Sequence, residues 1–121
     1  MPHLQIGDTF IFAPGGHLWV VISDPSRHEG NCIIVNLTSN AFRAGNDCQL
    51  KQGDHPWIAA ASYVTFGDAR KVTPKEETII VSLMTAGTIK KHHPMPLPIL
   101  KKIIDSAKAS KALPGGFLAY L

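Results

Sequence analysis

What this chain lacks narrows the field first. No apolar run approaches the roughly 20 residues needed to span a bilayer. No basic-then-apolar leader opens it, because Asp8 and Pro14 interrupt the first apolar stretch. The expectation is a soluble cytoplasmic protein with no membrane contact. Two cysteines, Cys32 and Cys48, are too few for a disulfide framework and are expected as free thiols. Gly15-Gly16 stands alone, without the longer glycine pattern that cradles phosphates. Neither a Cys-x-x-Cys pair nor a nucleophile elbow occurs. These gaps argue against a nucleotide cofactor and a structural zinc, so no cofactor and no metal are expected.

What is present suits one small domain. The chain has 121 residues, 45% apolar and 17% charged, which excludes a disordered tail and a coiled coil. That length can close one core. The net charge of +3 is unevenly spread. Residues 1–70 hold four Lys/Arg against six acids, whereas 71–121 hold eight lysines against three acids. A nucleic-acid binder needs cations on phosphates. The basic tail reads either as a solvated helix face or as a phosphate-facing surface.

The first part reads as short strands. Thr9 to Ala13 is β-branched and aromatic, and Ala13-Pro14-Gly15-Gly16 ends it as a turn. His17 to Ser23 and Asn31 to Leu37 are apolar runs flanked by breakers, which fits buried strands. Asp24 to Asn31 suits a hairpin loop. Asp47 to Leu50, Pro56 to Ile58 and Ser62 to Phe66 are shorter strand candidates. Five or so short strands joined by Gly/Pro turns suggest a small barrel. The pattern then changes. Thr73-Pro74-Lys75-Glu76 is a capping box with Pro at the first helical position. Ile80, Leu83 and Met84 follow at helical spacing, and Gly87 suits a left-handed stop. The β-branched run from Thr78 to Val81 leaves a strand open there. A basic, Pro-rich link runs from Lys90 to Pro98. A second helix to about Lys111 puts Leu100, Ile103, Ile104 and Ala107 on one face. The expectation is an α+β fold: a small β-barrel over residues 1–72, followed by two C-terminal helices over 73–121, packed as a single domain.

Polar residues of catalytic type occur beside strands in three places. These are His17 after the Gly-Gly turn, Thr38-Ser39-Asn40 after the third strand, and Gly53-Asp54-His55-Pro56 in a loop. Loops on a rigid scaffold are where sites are built. A histidine shuttles protons near neutral pH. An aspartate orients it or acts as a base. Thr or Ser hydroxyls donate to a developing oxyanion or a phosphate oxygen. Together they suit attack of a ribose 2′-hydroxyl on the adjacent phosphate. Each also has a plain structural role open to it: a strand-end cap for His17, and turn chemistry for Thr38-Ser39-Asn40 and Asp54. His17, Cys48 and His55 follow no metal-ligand spacing. Trp19, Trp57 and Cys32 read as core, and His92-His93 as a solvated linker.

Three stretches resemble the PemK/MazF-like superfamily of toxins. Gly7-Asp8-Thr9-Phe10-Ile11-Phe12 resembles its opening Gly-Asp strand. His17-Leu18-Trp19-Val20-Val21-Ile22-Ser23 resembles its second strand. Val35-Asn36-Leu37-Thr38-Ser39 resembles its third, which ends in a hydroxyl pair. Gly53-Asp54-His55-Pro56-Trp57-Ile58 is similar, more loosely, to the Asp-Gln-x-Arg-Thr-Ile segment. The match covers residues 5–72. The resemblance implies an SH3-like barrel, a homodimer, metal-independent cleavage of single-stranded RNA, and an antitoxin protein as partner. It matches Thr38 and Ser39 to the family's hydroxyl pair and Asp54 to its catalytic acid; the residues themselves add His17 as the expected proton shuttle, with Lys51, Asn40 and His55 as the expected substrate contacts. His17 and Trp57 stand where the family has arginines, so His17 and Lys51 inherit the phosphate contacts. The other function class is a non-catalytic barrel that binds a protein or nucleic acid, with Phe42 in the Asn40 to Asp47 loop as its apolar contact.

Overall fold

Cys32–Thr38 (β3) lies at the middle of the fold and is buried at every position. The computed structural model of the chain describes residues 3–12, 16–39 and 47–121. The remaining strands are β1 (Thr9–Ile11), β2 (Leu18–Val21), β4 (Gln49–Leu50), β5 (Ser62–Val72) and β6 (Lys90–His92). Two helices, α1 (Pro74–Thr85) and α2 (Leu97–Ala109), flank β6 in sequence. Short 3-10 turns at Pro25–Arg27 and Phe117–Tyr120 complete the elements.

The sheet is open, antiparallel and six-stranded, in the order β4-β5-β3-β2-β1-β6. This corrects the expected closed SH3-like barrel of five strands followed by two helices. The physical reason lies in β3. Alternate residues of a strand face opposite sides of the sheet. Ile33, Val35 and Leu37 join a core that includes Leu100, Ile103 and Ala107 of α2. Cys32 and Ile34 join a second core that includes Ile80 of α1. A barrel has one apolar interior, whereas this sheet has two apolar faces and a helix for each.

Two further expectations change. The basic link is in part a strand: β6 pairs with β1 through Thr9↔His92 and Ile11↔Lys90. Its two lysines are exposed, as suits an edge that must not recruit another chain. Pro56 to Ile58 is a turn, because the Ile58 N–H bonds the His55 carbonyl at 2.9 Å. No helix among the described residues is long and apolar enough to cross a membrane.

The helix starts are legible. The Thr73 hydroxyl accepts the Glu76 N–H at 3.3 Å, and the Glu76 carboxylate accepts the Thr73 N–H at 3.1 Å. Gly87 follows α1 at φ +84°, the left-handed region that suits glycine. Thr73→Ala is expected to lower stability by about 0.5–2 kcal/mol, read as a fall in the urea midpoint at unchanged slope.

β5 carries the feature that shapes the site. Ile34 pairs with Arg70 but Asn36 pairs with Thr65, so residues 66–69 of β5 stand opposite Val35 alone. Such a bulge bends the strand and re-aims its side chains. Gly67 lies inside it, as a glycine in a strand often does.

Candidate active site

α1 covers only part of its face of the sheet. Beyond Ile34 the same face of β3 continues as Asn36 and Thr38, and it turns polar. Trp19 pairs with Asn36 on one side and Thr65 pairs with it on the other; Thr38 pairs with Tyr63. Asn36, Thr38 and Thr65 are 3%, 5% and 4% exposed. Among the described residues, Asn36 Oδ1 and Thr65 Oγ1 have no hydrogen-bond partner. A buried polar atom without a partner costs about 1–3 kcal/mol, so this pair makes the face a candidate site.

A cavity of about 410 Å³ opens over this face, lined by His17, Trp19, Asn36, Gly67, Asp68, Ala69 and Arg70. The bulge brings Asp68 back over β3, with its Oδ2 3.5 Å from Asn36 Nδ2. The Arg70 guanidinium lies over the Trp19 ring, 5.5 Å from its centroid. That stacking is worth about 0.5–1 kcal/mol at an exposed site and holds the planar fork at the mouth. His17 Nδ1 sits 2.9 Å from the Leu37 carbonyl. A carbonyl only accepts, so Nδ1 carries the hydrogen and Nε2 is the basic nitrogen of the neutral ring. The cavity thus holds a proton carrier, a carboxylate, a permanent cation and buried hydrogen-bonding groups. Cys32 lies on the same face, but burial pushes its thiol up to about 12, far from a nucleophilic thiolate.

The sequence-derived site residues separate into two groups. His17, Thr38 and Ser39 are neighbours: the Leu37 carbonyl that holds His17 precedes Thr38, and Ser39 is the exposed bend that follows. Of the described sequence-derived site residues only His17 is among the walls of this cavity; Thr38 and Ser39 are not, and Lys51, Asp54 and His55 lie beyond β4. Asp54 closes a turn, its carboxylate accepting the Lys51 N–H at 3.0 Å while the Lys51 side chain stays exposed. Asn40 and Phe42 lie outside the described residues. Asn36, Thr65, Asp68 and Arg70 were not singled out from sequence. An Asn inside a buried apolar strand was the available signal, since a buried polar residue is the informative kind.

His55 has a structural post. It is 1% exposed, its Nε2–H donates to the His93 carbonyl at 2.6 Å, and its Nδ1 accepts the Trp57 N–H at 3.0 Å. The bond from Trp57 requires the neutral ring, and burial pushes its pKa below the usual 6.5. The unfolded chain therefore binds this proton more readily than the folded one. Stability is full well above pH 6.5 and falls as pH drops through and below it. Urea midpoints are expected to fall between about pH 7.5 and 5.5, and His55→Gln to reduce that fall.

Among the described residues, no three His, Cys, Asp or Glu side chains converge as metal ligands would. No family model, curated protein or solved structure matches this chain.

Proposed function

We propose that this chain is a metal-independent endoribonuclease acting on single-stranded RNA. The observation that supports it best is the single cavity shared by His17, Asp68 and Arg70 beside the buried amide of Asn36. His17 takes the proton from a ribose 2′-hydroxyl as that oxygen attacks the adjacent phosphorus. The P–O5′ bond breaks, and the proton passes to the departing 5′-oxygen. The products are a 2′,3′-cyclic phosphate and a 5′-hydroxyl, with no water consumed. Asp68 balances the transient imidazolium and Arg70 clamps the phosphate with its bidentate fork, and Thr38 and Ser39 follow the Leu37 carbonyl that holds His17. The PemK/MazF-like stretches support the same reading through the hydroxyl pair Thr38 and Ser39, while His17 stands where that family has an arginine. On this reading the protein works in the cytoplasm, with an antitoxin protein and a second copy of the chain as its partners.

The test is cleavage of an unstructured RNA in EDTA. Arg70→Ala is expected to slow it about 10²–10³-fold, with Arg70→Lys recovering part of the loss. Asp54→Asn is expected to cleave near the wild-type rate. Wild-type activity in Arg70→Ala, with an inactive Asp54→Asn, would overturn this site and return it to the 51–58 loop.

A further inference from the structure

We infer that the apolar groove between α1 and the sheet binds one nucleobase of the RNA strand whose phosphate sits beside His17. This rests on the ribonuclease reading and adds the subsite that would select sequence. The groove has a volume of about 270 Å³; Phe12, Ile34 and Ile80 are among its walls, with Ile79 and Leu83 of α1 at its rim. Ile79 and Leu83 are 52% and 37% exposed, large apolar side chains in water on a helix whose other face is packed. A volume just under the usual range of ligand pockets has room for one flat ring system.

Continuity with the polar cavity argues for a base. Arg70 lines both. Its guanidinium lies over Trp19, and the Phe12 and Trp19 rings meet edge to face at a centroid distance of 5.6 Å. One trough therefore runs from hydrogen-bonding groups, past a fixed cation, to an apolar slot. A nucleotide has that order: polar ribose and phosphate, then a flat base. Unpaired bases stack on aromatic rings and on arginine planes, and Phe12 and Arg70 both line the groove.

The test is calorimetric binding of a 2′-O-methylated RNA tetranucleotide, which binds without being cut. The same tetramer is then measured with the base removed at each internal position in turn. Leu83→Asp changes an exposed position, and Ile79→Ala is a milder second variant. Circular dichroism confirms that both fold. The expected result is at least about a tenfold loss of affinity for Leu83→Asp, a similar loss for one abasic tetramer, and little further loss when the two are combined. Unchanged affinity in Leu83→Asp and for every abasic tetramer, with cleavage intact, would overturn the subsite and leave the ribonuclease. A wild type that neither binds nor cleaves would overturn both.

Discussion

His17→Ala is expected to lower cleavage of an unstructured RNA in EDTA by about 10²–10⁴-fold, the range of a lost proton carrier. The fold should survive, because the hydrogen bond to the Leu37 carbonyl that the change removes is worth about 1 kcal/mol. His17→Asn makes the test sharper. Its side-chain amide can still donate to that carbonyl but cannot take up and release a proton near neutral pH. If His17 acts as a base, Asn fails as badly as Ala. If His17 only ties β2 to β3, Asn restores the wild-type rate. Denaturant midpoints measured beside the rates separate a lost base from a lost fold.

The second large effect concerns the two covered faces. Ile80→Ala on α1 and Ile103→Ala on α2 are each expected to cost about 2–5 kcal/mol. Ile80 is 7% exposed and Ile103 fully buried, in different cores on opposite sides of the sheet. With no shared partners, the two losses should add in the double variant. A domain has about 5–15 kcal/mol in all, so the double variant should be close to unfolding. Were α1 an appendage on a closed barrel, Ile80→Ala would be near neutral.

Local chemistry was legible from the residues alone. The capping box at Thr73, the helical spacing through Met84, the left-handed Gly87 and the amphipathic stripe from Leu100 to Ala107 all follow rules spanning four or five residues. Closure of the sheet was not legible in this way. Apolar runs such as Cys32 to Leu37 fit a strand buried on one face or on both, and helix placement decides which. β6 was hidden because Lys90, Lys91 and His92 look like a solvated link, and an edge strand tolerates such residues.

The site divides along the same line. His17, Thr38 and Ser39 stand out in the sequence because each sits at a strand end next to turn residues. Asp68 and Arg70 do not, because their position depends on a bulge that sets residues 66–69 against Val35 alone. No short-range rule places that offset. Asp54 attracted attention through its turn sequence, and a turn is what its carboxylate closes.

The most direct test of the account is the chemistry of the cut ends. RNA is incubated with the wild-type protein in EDTA, and the fragments are analysed by mass spectrometry. The account predicts fragments that end in a 2′,3′-cyclic phosphate and begin with a 5′-hydroxyl, formed by wild type and not by His17→Ala. Fragments beginning with a 5′-phosphate, or intact RNA after incubation with the wild type, would contradict it.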